Sequence, residues 1–192
     1  LTRWLEIRPG NTVTVLDTHD GIGVQDVGAD RRRGRIEGLL TAEERDALVE
    51  TIHRRSRGES RHASGSANNN VDSSQINCTF YDALGGNDSE YLIARAIQCF
   101  VPGIPQIYYV GLLAGENDQE AAARTGDGRE VNRHDFSREE IELAKRRSVV
   151  QRLERLIRLR DSHAAFEGGF RVAVATDGRL RMSWASGAGA CA

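Results

Sequence analysis

The sequence predicts an α/β fold, in which a parallel sheet is covered by helices on its outer side and is followed by a small β unit. A β-branched run at 12–16 precedes helical patterns and then an almost wholly apolar run at 104–110. Strands and helices that alternate in this way are typical of parallel sheets. Beyond residue 168 the apolar period changes to two, which predicts a hairpin.

The first strand and the first long helix have clear local signals. The run at 12–16 reads Thr-Val-Thr-Val-Leu and ends in a polar segment with glycines, as expected for a buried strand that leads into a loop. Thr41 and Glu44 match a capping box, and the apolar residues behind them are spaced for one helix face. We therefore expect a helix at roughly 42–55.

A second strand and helix pattern follows. An apolar period of 3.6 residues predicts a helix over 91–100, ended by Pro102-Gly103. The run at 104–110 predicts a strand that is buried on both faces. The stretches 56–70 and 114–137 show no periodicity, so we expect them to form long irregular loops of the kind that often has a function.

The last residues predict a separate unit. The segments 170–174 and 180–184 alternate in hydrophobicity around an Asp-Gly turn, which indicates a hairpin. Only two strands of the parallel type are visible, whereas a closed β/α barrel needs eight strands and about 250 residues. We expect 1–166 to be the C-terminal portion of such a barrel, and 167–192 to be the truncated start of a small C-terminal β domain.

The composition excludes several classes of function. The 26 Lys and Arg residues nearly balance the 28 Asp and Glu residues, so no overall field attracts nucleic acid or an anionic membrane, and a small neutral substrate fits better. Three widely spaced cysteines form no Cys-x-x-Cys motif, which predicts a reducing cytoplasm and no metal site. The chain starts without a Met, a signal pattern or a long apolar run, so we expect its start to be a cut end.

His19 and Asp20 follow the first strand, where β/α barrels place their working residues. An Asp before Gly is also a common turn former, so the pair alone is weak evidence. Its surroundings are more specific: residues 14–24, Thr-Val-Leu-Asp-Thr-His-Asp-Gly-Ile-Gly-Val, resemble the strand-seven motif of sucrose phosphorylases. Residues 103–118, Gly-Ile-Pro-Gln-Ile-Tyr-Tyr-Val-Gly-Leu-Leu-Ala-Gly-Glu-Asn-Asp, and 128–134, Gly-Arg-Glu-Val-Asn-Arg-His, resemble strand eight and the next loop of that family.

The resemblance implies a fold and a chemistry. Sucrose phosphorylases belong to the α-amylase clan, glycoside hydrolase family 13, so the chain would supply about the last two β/α units of a (β/α)8 TIM barrel. It also implies retaining transfer of a glucosyl group from sucrose to phosphate, which yields α-D-glucose 1-phosphate and fructose, without metal or cofactor, in a homodimer. The aspartate nucleophile and the glutamate acid/base would lie upstream of residue 1.

The resemblance also assigns roles to five residues. Asp20 would be the carboxylate that stabilises the transition state, and His19 and Arg133 would bind the glucosyl unit. Asp72 and Gln75 match a loop that helps the site to alternate between fructose and phosphate. This sequence has Ser73-Ser74 between them, where the family has a bulky apolar residue and a tyrosine, so the preference for fructose is open.

Two alternatives therefore stay open beside sucrose phosphorolysis. The chain could belong to a related phosphorylase or α-glucosidase that acts on another α-glucoside, which the two serines would favour. From a different class of function, it could be a non-catalytic remnant that binds a sugar or a partner.

Overall fold

The computed structural model describes residues 2–24, 39–65, 75–174, 177–187 and 189–191. Its helices are Thr2–Ile7 (α1), Ala42–Arg55 (α2), Glu59–Gly65 (α3), Phe80–Ala83 (α4), Asp88–Phe100 (α5), Tyr109–Leu112 (α6), Gln119–Thr125 (α7), Arg138–Ala144 (α8) and Ser148–Ser162 (α9). Its strands are Val13–Val15 (β1), Ile22–Gly23 (β2), Gln75–Ile76 (β3), Ile104–Gln106 (β4), Gly169–Val174 (β5), Leu180–Ser186 (β6) and Gly189–Cys191 (β7). Short 3-10 helices cover Gly128–Asn132 and Ala164–Glu167.

β1 and β4 form the parallel pair that the sequence predicts, with Val13 opposite Ile104. Gly103, directly before β4, has a φ of +117°, and a Cβ there would lie 2.4 Å from the carbonyl oxygen of Thr12, so only glycine fits this close approach of the two segments. Gln98 of α5 is buried beneath the pair, and its Nε2 donates to the carbonyls of both strands. The helix is thereby attached to the strands by side-chain hydrogen bonds as well as by packing.

A buried ion pair closes the end of β1. Both carboxylate oxygens of Asp17 lie 2.9 Å from Nη2 of Arg95. Arg95 also donates to the hydroxyl of Tyr91, which in turn donates to the carbonyl of Gly111 in α6. Burial raises the pKa of Asp17 even though Arg95 opposes that shift. The network links β1, α5 and α6, and within the described part of the chain it gives the Asp17 carboxylate Arg95 as its cationic partner.

Capping and periodicity signals in the sequence predict most of the extent of α2 and α5. α2 covers 42–55 as expected, and its capping box is formed, with Thr41 accepting from the amide of Glu44 and the Glu44 carboxylate accepting from the amide of Thr41. α5 ends at Phe100 as expected but begins three residues before residue 91, because Asn87 accepts hydrogen bonds from the first free amides.

Three local predictions are wrong. The stretch 56–70 contains α3, and 114–137 contains α7 and a 3-10 helix, so neither is an irregular loop throughout. The strand predicted over 104–110 ends at Gln106, because Tyr109 begins α6. Ile104 is 58% exposed and Val13 is 50% exposed, so β1 and β4 are not covered on both faces within the described residues.

The main core lies between α5 and α9, whose apolar faces meet around a set of buried side chains: Tyr81, Tyr91, Leu92, Ala114, Val149, Val150 and Leu153. The C-terminal hairpin forms as predicted and gains a third strand, in the order β5-β6-β7. Val172 of this sheet packs with Leu5 of α1 and Val101. In the described ranges, none of the helices combines the length and the apolarity that crossing a membrane requires.

Candidate functional site

Residues 18–21, which we call the site turn, connect the end of β1 to β2. The amide of Gly21 donates to the carbonyl of Thr18 at 3.0 Å, and the amide of Thr18 donates back to Gly21 at 3.2 Å. The Asp20 amide donates to the Thr18 hydroxyl at 3.1 Å. Gly21 has a φ of +92°, and a Cβ there would lie 2.2 Å from the carbonyl oxygen of Ile76, so the turn requires glycine. His19 and Asp20 therefore occupy its two central positions.

Three side chains from two distant segments hold the site turn by its backbone. Each donates one hydrogen bond to one of three successive carbonyls: Asn132 Nδ2 to Thr18 (2.8 Å), Arg133 Nε to His19 (2.9 Å) and Gln75 Nε2 to Asp20 (2.7 Å). Carbonyls in a short turn have no strand or helix partner of their own, so side chains commonly bind them. Side chains of these two segments therefore fix the backbone conformation of the site turn.

The Asp20 carboxylate is surrounded by cationic or potentially cationic groups. Its Oδ1 lies 3.3 Å from Nη2 of Arg133 and 3.6 Å from Nε of Arg129. Its Oδ2 lies 3.3 Å from Nε2 of His19. The Asp20 side chain keeps 34% of its surface exposed, so the carboxylate is restrained by its partners and still open to a ligand. Such a preorganised charge is what stabilises positive charge that develops in a transition state.

The segment that carries Arg129 and Arg133 is anchored by buried residues. Asp127 caps its 3-10 helix by accepting from the amide of Arg129 at 2.9 Å. Val131 and Asn132 are almost fully buried, and a Cβ at Gly128 would lie 1.9 Å from the carbonyl oxygen of Ala63 in α3. Arg133 is therefore a placed side chain at the end of an ordered segment, and its contacts with the site turn are not those of a free surface arginine.

His134, the residue after Arg133, contacts the carboxylates of Asp118 and Glu140, and we call these three residues the bracket. Its Nδ1 lies 2.5 Å from Oδ2 of Asp118, and its Nε2 lies 3.2 Å from Oε1 of Glu140. Asp118 caps α7, and Glu140 completes the capping box of α8 with Ser137. The hydrogen bond with Asp118 raises the pKa of His134 above its ordinary value. The bracket joins both helix N-termini to the residue after Arg133.

Four of the five residues that the sequence singled out come together here: His19, Asp20, Gln75 and Arg133. The fifth, Asp72, and the adjacent Ser73-Ser74 lie outside the described residues. Arg129 and Asn132 join the cluster without having been predicted from the sequence, although both stand in the motif at 128–134, and proximity to Arg133 was the available signal. Among the described residues, no cluster of three or more His, Cys, Asp or Glu side chains could hold a metal ion.

Comparisons with known proteins show what the chain as a whole is similar to. The chain is 59% identical over 184 residues to the sucrose phosphorylase of Agrobacterium vitis, an alignment that covers 96% of this chain and 37% of that enzyme. It is 44% identical over 188 residues to the glucosylglycerol phosphorylase of Marinobacter adhaerens, which covers 97% of this chain and 37% of that enzyme. No family model matches the chain.

The comparison with solved structures also finds a phosphorylase. The sucrose 6F-phosphate phosphorylase from Thermoanaerobacter thermosaccharolyticum superposes with a TM-score of 0.78 at 40% identity, over 96% of this chain and 35% of that enzyme. The chain thus spans little more than a third of the length of the proteins that it matches. Over the segment that it covers, the chain belongs to the family of the sucrose phosphorylases and their related glycoside phosphorylases.

Proposed function

We propose that this chain is the C-terminal part of a sucrose phosphorylase, in which Asp20 stabilises the transition state of glucosyl transfer. The observation that carries the proposal is the Asp20 carboxylate in the site turn after β1, held between Arg133, Arg129 and His19. The reaction converts sucrose and phosphate into α-D-glucose 1-phosphate and D-fructose. Its family context is the 59% identity to an enzyme named for that activity.

The chemistry of retaining glucosyl transfer explains what such a carboxylate contributes. An aspartate attacks the anomeric carbon while a glutamate protonates the departing fructose, and phosphate then displaces the enzyme from the glucosyl group with a second inversion. Both steps pass through an oxocarbenium-like state with positive charge near the ring oxygen. We place the nucleophile and the acid/base in the part of the enzyme that precedes this chain. The restrained Asp20 carboxylate takes no part in the bond changes and lowers the energy of the charged state electrostatically.

The neighbours of Asp20 have supporting roles in this proposal. Arg133 binds both the Asp20 carboxylate and the His19 carbonyl, so it fixes the carboxylate relative to the turn. His19 is exposed enough to donate to a sugar hydroxyl while its ring stays within 3.3 Å of Asp20. Gln75, which the resemblance assigns to the acceptor loop, donates to the carbonyl of Asp20 and so supports the backbone of the glucosyl site.

A second candidate function is phosphorolysis of a different α-glucoside. Two observations favour it: Ser73-Ser74 stand in the acceptor loop, and the chain is 44% identical to a phosphorylase named for glucosylglycerol. Two small hydroxyl side chains and an aromatic wall make different acceptor pockets. The glucosyl half of the site, built around Asp20, would serve either acceptor.

A chimeric enzyme tests these proposals. Residues 1–192 replace the matching segment of the A. vitis sucrose phosphorylase, and phosphate-dependent release of fructose from sucrose is measured. We expect the chimera to be active and Asp20→Asn, which keeps shape and removes charge, to lower kcat by about 100-fold or more. Asp46→Asn, an exposed carboxylate on α2, is the matched control and should leave kcat unchanged.

The outcomes separate the two candidates. A folded chimera that releases no fructose but cleaves glucosylglycerol with phosphate would replace the first proposal by the second. A folded chimera without phosphorolysis of either glucoside would overturn both and favour a remnant that only binds. An Asp20→Asn variant with full activity would remove the role assigned to Asp20.

A further inference from the structure

Asn132 lies beneath the site turn and is 1% exposed. Its Nδ2 donates to the Thr18 carbonyl at 2.8 Å, while its Oδ1 has no hydrogen-bond partner among the residues that the structure describes. We propose that Asn132 is a positioning residue of the site: its buried amide fixes Thr18 and, through the turn, the Asp20 carboxylate. The inference rests on the proposed function, because it concerns how the carboxylate of that reaction is placed.

The Thr18 carbonyl is the point from which the turn is controlled. It accepts from Asn132 and also from the amide of Gly21, which closes the turn. The hydroxyl of the same residue accepts from the amide of Asp20. A displacement of Thr18 therefore also displaces His19 and Asp20, the two central residues of the turn. No local element replaces these bonds, since the turn lies between two short strands.

The three donors to the turn differ in how easily water can replace them. The Arg133 side chain is 27% exposed, and Gln75 is half-buried, so water can reach the carbonyls that they bind. Asn132 is shielded, and water cannot enter in its place without a cavity. Loss of its amide therefore leaves the Thr18 carbonyl with the Gly21 bond alone.

The unpaired Oδ1 strengthens this interpretation. A buried oxygen without a partner costs free energy, and an apolar side chain of similar volume would avoid that cost. Packing alone therefore does not account for an asparagine at this position. The donor atom Nδ2 does account for the asparagine, because it binds the Thr18 carbonyl and an apolar side chain could not.

The chain contains a matched control in Asn77. This asparagine is 0% exposed, and within the described ranges its Oδ1 is also without a partner. Its Nδ2 donates to the carbonyl of Ala63 in α3 at 3.3 Å rather than to the site turn. Asn77 and Asn132 thus share residue type, burial and incomplete pairing, and they differ in the segment that the amide holds.

The experiment compares Asn132→Asp with Asn77→Asp in the active chimera. An ionised aspartate cannot donate, whereas a protonated one can. We expect both variants to lose thermal stability to a similar extent. Asn132→Asp should lower kcat/KM by about 100-fold at pH 8, because a small displacement of a catalytic group has that effect. Asn77→Asp should lower kcat/KM about tenfold less, since its amide holds the Ala63 carbonyl next to Gly128 and does not bind the site turn. As the pH falls and the buried carboxyl is protonated, Asn132→Asp should recover relative to the parent, and Asn77→Asp should show no such trend.

A second variant keeps the test decisive if the aspartate variants fold poorly. Asn132→Leu has a similar volume and no donor at any pH, so its kcat/KM should stay about 100-fold low without recovery in acid. Folded Asn132 variants within twofold of the parent would overturn the inference and leave the proposed function intact, as would an equal loss in Asn77→Asp. A chimera that is inactive before substitution would instead overturn the proposed function, and the inference with it.

Discussion

Asp17 and Asp20 lie three residues apart at the end of the same strand, yet their surroundings differ in every respect. Asp17 is 4% exposed, and its cationic partner among the described residues is Arg95, in a buried network beneath the strands. Asp20 is 34% exposed and lies among Arg133, Arg129 and His19 on a turn. A buried, fully paired carboxylate can only hold the structure together, whereas a restrained and accessible one can meet a substrate.

The largest expected effect concerns the buried pair. Arg95→Met leaves the Asp17 carboxylate buried without a cation, so we expect the free energy of unfolding of the chimera to fall by about 3–5 kcal/mol. Urea unfolding measures it. The double variant Arg95→Met/Asp17→Leu removes both charges and should recover most of the loss. Equal instability of the two variants would show that shape, and not the unpaired charge, is responsible.

A smaller effect should separate the two arginines at Asp20. Arg133→Gln removes a charge-assisted bond to the His19 carbonyl and the ion pair at 3.3 Å, whereas Arg129→Gln removes only a pair at 3.6 Å. We expect Arg133→Gln to lower kcat/KM for sucrose phosphorolysis about tenfold more than Arg129→Gln does. Comparable losses would mean that the charge around Asp20 matters more than the bond to the turn.

The smallest effect is a pH dependence at His134. Its pKa is raised chiefly by the hydrogen bond with Asp118, so the stabilisation is complete below the ordinary value of 6.5 and is lost as the pH rises through the raised pKa. At Asp118, burial acts to raise the pKa of the carboxyl group, but the hydrogen bond with His134 keeps that pKa below its ordinary value of 3.8. Acid therefore removes the stabilisation from this pair only below about pH 3.8.

We therefore expect His134→Gln to destabilise the chimera by on the order of 1 kcal/mol at pH 6 and by less at pH 9. Thermal melts at the two pH values measure the difference. Glu140→Gln removes the other, exposed partner and serves as the control with the weaker pH dependence. A destabilisation that is equal at pH 6 and pH 9 would show that the bracket acts through neutral hydrogen bonds alone.

Much of the local structure could be predicted from the sequence. The capping box at Thr41 and Glu44 and the alternation around the Asp-Gly turn are short-range patterns, and both formed as expected. The predicted parallel pairing of 12–16 with 104–110 also formed, although β4 is shorter than expected. The helices within 56–70 and 114–137 were missed because α3 and α7 are short and have little apolar periodicity of their own.

The sequence by itself determined the residue types of the site, the strand that precedes them and the family motif that surrounds them. Only the tertiary structure decided which atoms meet. The bonds from Gln75 to the Asp20 carbonyl and from Asn132 to the Thr18 carbonyl join residues that are 55 and 114 positions apart. Such contacts leave no periodic trace in a sequence, because they depend on where the backbone of a distant segment exposes a carbonyl, which is settled only when the strands and helices pack.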